Sequence, residues 1–326
     1  MRAHAAFCSG DMSVAPDILV TSLERGPRTT QAWPHDRRRS LEINRSHARK
    51  KLDFRFPSEQ RTKYALNNSH VAQGSFIVEP VLALLALLTS TQKSLGVTGG
   101  LGEIGVHHGK FFVGLAHLAL RNERLYANDV FDKQYLNVDG SGFGDFDAFA
   151  QACTSAGIDI SSVSIDRGSS ADLAKLPFMF RLFSVDGGHS RALTVNDLTL
   201  AACHLEHGGI IILDDITNFQ WPGVIDGFFT WMNLFPIKFA PFFVGYNKVF
   251  ITHTEYHATY YSRLVQYSEI APTGMKLMTT PSSNANPLKS AESGLNLFSW
   301  LGYAFVYGDN SVNNTVAKNE WSKFIS

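Results

Sequence analysis

Two acidic clusters, far apart in the chain, have the composition of a cation site with a base beside it. They are Val185-Asp186-Gly187-Gly188-His189 and Leu213-Asp214-Asp215. Three carboxylates brought close together repel one another unless some are protonated or a cation lies between them. Oxygen-only ligation suits Mg2+ or another hard divalent cation. Asp186, Asp214 and Asp215 are therefore the candidate metal ligands. His189 is the candidate base, because an imidazole pKa near ~6.5 suits proton removal at neutral pH. The plainer reading has Asp214 and Asp215 capping a turn and His189 bonded to backbone. Three aspartates beside one histidine favour the cation.

A second constellation is Glu103-x-Gly105-x-x-x-Gly109 at a strand-to-helix turn, with Asp129 twenty residues after Gly109. Glycines there let backbone approach a ligand, and a helix N-terminus offers free N–H groups. A carboxylate ending the next strand can accept both ribose hydroxyls of a nucleoside. The pattern is not the G-x-G-x-x-G of dinucleotide sites, so a nicotinamide dehydrogenase is disfavoured and a ligand without phosphates is favoured. A turn that merely needs glycine explains Gly105 and Gly109 equally well until Asp129 is added. His107 and His108 read as fillers of that turn.

The elements that must carry these residues alternate. Pro80 to Leu95 is apolar enough for a buried helix. Strands are expected at 102–106, 124–130, 160–165, 180–185 and 209–213. Helices are expected at 110–120, 145–155 and 192–203, the last with Asp197 on its outer face. This alternation means βαβ units and a parallel sheet covered on both faces. In such a sheet ligands bind outside the carboxyl ends of the strands, so both acidic clusters belong on one rim. Phe239 to Val244 and Val249 to Thr252 flank a short connector and predict an antiparallel hairpin. The loop Asn218 to Gly227 is expected to form one substrate wall.

Three regions follow: a flexible basic extension over 1–62, a catalytic α/β domain over 63–270, and a linker with an aromatic segment over 271–326. Residues 1–63 hold 13 Lys/Arg against 7 Asp/Glu, whereas the whole chain balances 29 against 29. The basic extension reads as a solvated tail, with an anionic partner or an address signal as the functional alternative. The neutral total gives no reason to expect nucleic acid. No apolar run approaches the ~20 residues of a membrane span, and no secretory signal opens the chain. A cytoplasmic protein acting on a small molecule is expected, compatible with a homo-oligomer. Three scattered cysteines argue against a disulfide framework or zinc knuckle.

The run Glu103-Ile104-Gly105-Val106-His107-His108-Gly109-Lys110 resembles motif I of class I S-adenosylmethionine-dependent methyltransferases. Asp129-Val130-Phe131-Asp132, Ser184-Val185-Asp186-Gly187-Gly188-His189-Ser190 and Ile212-Leu213-Asp214-Asp215-Ile216 resemble later blocks of the methyltransferase family 24 branch. That branch includes the macrocin and mycinamicin sugar O-methyltransferases, with catechol O-methyltransferase more distant. The resemblance covers about residues 75–255. It implies a doubly wound, Rossmann-like, seven-stranded sheet whose last strand is antiparallel. It implies Mg2+ on Asp186, Asp214 and Asp215, and a base three residues after the first ligand, where His189 stands. It implies S-adenosylmethionine along Glu103, Gly105, His107 and Gly109, with its ribose on Asp129, its adenine edge near Ser169 or Ser170, and Asp186 lining the cofactor site. His107 departs from the commoner middle glycine. The reaction implied is divalent-cation-assisted O-methylation of a sugar or catechol-like diol. A metal-dependent hydroxylase of the cephalosporin hydroxylase-like type and a non-catalytic S-adenosylmethionine-binding protein are the alternatives.

Overall fold

The computed structural model describes residues 52–61, 79–235, 237–275, 277–279, 299–300, 303–309 and 313–325. Residues 1–51 of the basic extension and residues 280–298 of the C-terminal linker and aromatic segment lie outside the described residues. The elements run α1 (Glu79–Ser94), β1 (Gly100–Ile104), α2 (Lys110–Ala116), β2 (Leu125–Asp129), α3 (Phe146–Ser155), β3 (Val163–Arg167), β4 (Phe180–Val185), α4 (Arg191–Cys203), β5 (Leu205–Leu213) and α5 (Pro222–Leu234). They continue through β6 (Phe239–Gly245), β7 (Lys248–His253), α6 (Thr254–Ser268), β8 (Leu277–Thr279), β9 (Ser299–Trp300), β10 (Tyr303–Ala304), β11 (Val306–Gly308) and α7 (Asn314–Ile325).

The main sheet has nine strands in the order β3-β2-β1-β4-β5-β7-β6-β11-β8. Its first seven are the expected Rossmann-like arrangement. β3, β2, β1, β4 and β5 are parallel, and β7 runs antiparallel to both neighbours. The β6–β7 hairpin turns on Tyr246 (φ 54°) and Asn247 (φ 65°). Two consecutive left-handed residues match the right-handed twist of the strands they join. β1, β4 and β6 are buried along their whole length, as central strands covered on both faces are. One core layer packs α1, α2, α3, α6 and α7 on one face of the sheet, and a second packs α4 and α5 on the other.

Four expectations need correction. Residues 52–61, expected in the flexible extension, are held in place: Phe54 bridges Leu120, the Arg55 N–H donates to the Ala119 carbonyl, and Phe56 is buried. Burying that aromatic ring compensates the ordering of a short segment. The aromatic C-terminal segment is part of the sheet: β11 pairs parallel with β6 and antiparallel with β8. Helix α7 then buries Ala317 and Trp321 over α1. Asp197, expected outside, is fully buried, because its carboxylate bonds inward to Asn196 and Ser170. Asn218–Gly227 is a loop only as far as Trp221, since Pro222 opens α5; proline's fixed φ suits a first helical position.

Candidate active site

Sheet register lines up the rim. Ile104 pairs with Asn128 on β2 and with Val185 on β4, and Val185 pairs with Leu213 on β5, which pairs with Val249 on β7. The next residues at this edge are therefore Asp129, Gly105, Asp186, Asp214 and Lys248, one from each of five adjacent strands ~4.8 Å apart. The strand order reverses between β1 and β4, where an open α/β sheet forms its ligand crevice.

On the β2 side, Asp129 accepts the N–H of His107 at 2.7 Å and of Phe131 at 2.8 Å. It thus ties the β1 turn to its own strand, and each oxygen keeps a second lone pair for a ligand. Gly105 has φ 83°, and a Cβ there would lie 1.8 Å from the Asp186 carbonyl oxygen. Close approach of two strand ends, rather than of a ligand, is what demands this glycine. Gly109 caps α2 against Phe149, and the His107 ring lies 3.9 Å from that of His108. Glu103 is buried, and burial pushes its carboxyl up to about 8. It lies under the rim instead of in an open cleft. Beyond β2 and β3 a cavity of about 390 Å3 is lined by Asn128, Tyr135, Asp166, Gly168, Ser169 and Leu173. Ser169 is on that cavity, whereas Ser170 is buried toward Asp197.

On the β4–β5 side, Asp186, His189 and Asp215 each bring one ligand-type atom within 4.8 Å of the others. The space among Val185, Asp186, His189, Asp214 and Asp215 is about 10 Å3, room for one water-sized species. The His189 ring is held on both nitrogens: Nδ1 is 2.9 Å from Asp139 Oδ2 and Nε2 is 2.9 Å from Asp215 Oδ2. Asp139 also accepts the His189 backbone N–H at 2.7 Å and the Ser141 hydroxyl. Trp221 stacks on the imidazole at 4.2 Å and 14°. A Cβ on Gly223 would sit 2.3 Å from the His189 carbonyl, so glycine lets α5 close against this turn. Burial disfavours the imidazolium, but Asp215 and Asp139 outweigh it and hold the His189 pKa above its ordinary value. Burial also opposes ionisation of Asp139, yet Ser141 and His189 bring it down to about 2.

Asp214 departs from expectation. Instead of joining Asp186 and Asp215, it accepts a hydrogen bond from Lys248 Nζ. Asp215 has φ 59°, which turns it toward Asn247 at 2.7 Å, Asn218 at 3.0 Å and His189. Neighbouring aspartates thus face different partners, because the Lys248 ammonium stands beside the end of β5. Burial, then Asp214 and Asp215, pushes the Asp186 carboxyl well above the usual carboxylate range, and Lys248 is the attractive charge acting against them. The donor set that converges is two carboxylates and an imidazole. It does not fit the expected three-aspartate Mg2+ site, in which all three carboxylates are free to face one ion.

Residues 103–216, which run from the end of β1 through β5 and include both acidic clusters, match a family model described as a methyltransferase domain. No curated protein sequence matches the chain. Among solved structures, the O-methyltransferase NovP overlaps 54% of this chain and 80% of its own at 17% identity and a TM-score of 0.45. The O-methyltransferase of Bacillus cereus, in complex with SAH, overlaps 60% and 90% at 15% identity and 0.40. TomG of Streptomyces achromogenes, in complex with SAM, overlaps 65% and 93% at 16% identity and 0.39.

Three residues at this rim carry no pattern of their own in the sequence: Asp139, Asn247 and Lys248. Asp139 opens the run Asp139-Gly140-Ser141-Gly142, which reads as a surface loop. Lys248 begins the otherwise apolar strand Lys248-Val249-Phe250-Ile251. A lysine where a buried strand starts was the signal available. Among the described residues, no helix is long and apolar enough to cross a membrane.

Proposed function

We propose that this domain transfers the methyl group of S-adenosylmethionine to a hydroxyl of a small acceptor with adjacent oxygens, such as a sugar or a catechol-like diol. The observation that carries the reading is an imidazole, gripped on Nδ1 by Asp139 and stacked on Trp221, two strands from a carboxylate suited to ribose. The adenosyl ribose would bind Asp129, with the adenine toward Ser169 and its cavity. The methionine part would lie along the turn from Gly105 to Gly109.

In the reaction the acceptor hydroxyl displaces Asp215 from Nε2 of His189. Neutral His189 accepts the hydroxyl proton while the oxygen attacks the methyl carbon in line with the departing sulfur. Asp139 keeps the Nδ1 proton in place, so Nε2 is the accepting atom. Most of the acceleration comes from alignment, because the sulfonium is already reactive. Lys248 engages Asp214, and the proton transfer uses His189 and Asp139 alone. The test is calorimetric titration with S-adenosylmethionine, then a labelled-methyl screen over sugars and catechols. Saturable binding followed by O-methylated product supports the reading, and absence of S-adenosylmethionine binding removes it.

A further inference from the structure

Lys248 is the charged group that neither the expected reaction nor the fold accounts for. Its side chain is 5% exposed. Burying an ammonium is costly unless it is paired. The Phe111 ring, 4.7 Å away, packs against it, and a cation over a ring face is a weak attraction. A lysine that only needed a counter-ion could reach solvent along its four-carbon stem. This one is instead held by strand register at the end of β5. There Asp214 takes its proton donor, and its charge also acts on Asp186 and Glu103.

We propose that Lys248 is the built-in cation of the rim: its ammonium takes the charge-neutralising place of a divalent ion at Asp214, so that β4 and β5 bring their aspartates together without added metal. Three observations converge. Asp214 is already satisfied, and an ion drawing on it must first displace Lys248. Asp215 is turned by its left-handed backbone toward Asn218, Asn247 and His189, so the adjacent pair does not present two oxygens to one point. The space lined by Asp186, His189, Asp214 and Asp215 holds one water-sized species, and a doubly charged occupant there would be repelled by the ammonium that Asp214 already holds. Lys248 is on this account a positioning residue. It occupies Asp214 with its own ammonium and leaves Asp186 facing the space beside His189.

The inference rests on the methyltransferase reading, yet it is tested by the metal alone. Mn2+ would be titrated into the full chain, with the free ion followed by electron paramagnetic resonance, for wild type, Lys248→Met, Lys248→Arg and Asp214→Asn. Folding of each would be checked by circular dichroism. Wild type and Lys248→Arg should leave Mn2+ free, and Lys248→Met should bind one ion at least about tenfold more tightly. Stoichiometric Mn2+ binding by wild type that is lost in Asp214→Asn would overturn the proposal, as would a folded Lys248→Met that gains no affinity. If Lys248→Met does not fold, wild type and Asp214→Asn still decide. S-adenosylmethionine titrated into the same samples reads the methyltransferase proposal separately, so either can fail alone.

Discussion

Two buried cations stand at opposite ends of the sheet, and their surroundings differ. Arg181, near the start of β4, is completely enclosed. It is held by Glu123 at 2.6 and 2.7 Å, Gln92 at 2.9 Å, Thr89 at 3.3 Å and the Leu118 carbonyl at 2.7 Å. These bonds use the planar fork of the guanidinium, and its single carboxylate partner answers its single charge. Lys248, at the start of β7, meets Asp214 directly and feels Asp186 and Glu103 as well. One end of the sheet is a closed structural network. The other carries more negative than positive groups and leaves Asp186 strained against its neighbours. Perturbed titratable groups gathered at the carboxyl ends of strands mark a place built for chemistry. A sealed ion pair at the opposite end marks only a place built to stay shut.

The contrast can be broken most severely at the sealed end. Glu123→Ala strands a buried guanidinium and should cost about 3–5 kcal/mol of stability, read by urea unfolding. A loss within about 1 kcal/mol would mean Arg181 finds water and the two ends are alike. At the open end, His189→Ala should lower kcat on the order of a hundredfold or more while unfolding and S-adenosylmethionine affinity stay near wild type. If stability collapses instead, the rim is as structural as the Arg181 network. Asp129→Ala should weaken S-adenosylmethionine about tenfold to a hundredfold, and unchanged calorimetric affinity would remove the ribose assignment.

A finer probe is pH. His189 must be neutral to take a proton, and its pKa lies above the ordinary imidazole value. Activity should therefore be low at acid pH and rise as pH climbs through that raised value. Asp139→Asn removes one group that favours the imidazolium, so the acid limb of kcat/KM should move to lower pH. A profile that does not move would mean that Asp139 does not set the protonation of this ring. The smallest effect is expected from Asp53→Ala. Its pair with Arg121 is open to solvent on both sides, and exposed pairs contribute little. The thermal midpoint should not change measurably.

Most of the fold was legible because its signals are local. The continuous apolar run Ile210-Ile211-Ile212 marked β5, and the short connector after Val244 marked an antiparallel β6–β7 pair. The site was legible wherever a residue follows a strand, because strand ends share one rim whatever the side chains do: Asp129, Asp186, His189 and the Asp214-Asp215 pair all lie there. Ser170 and Asp197 turn inward, and the side to which a polar residue turns depends on neighbours remote in sequence.

By itself, then, the sequence determined the layered α/β sheet and which acidic residues and histidine stand at its carboxyl edge, since side-chain periodicity and strand ends are written within a few residues of one another. Tertiary structure alone decided how those groups are partnered: Asp139 on His189 from a loop 50 residues away, and Lys248 on Asp214 from 34 residues further on. A lone aspartate or lysine carries no pattern. Its role is set by whichever charge the sheet register and loop closure bring beside it, in a medium where such neighbours matter more than in water.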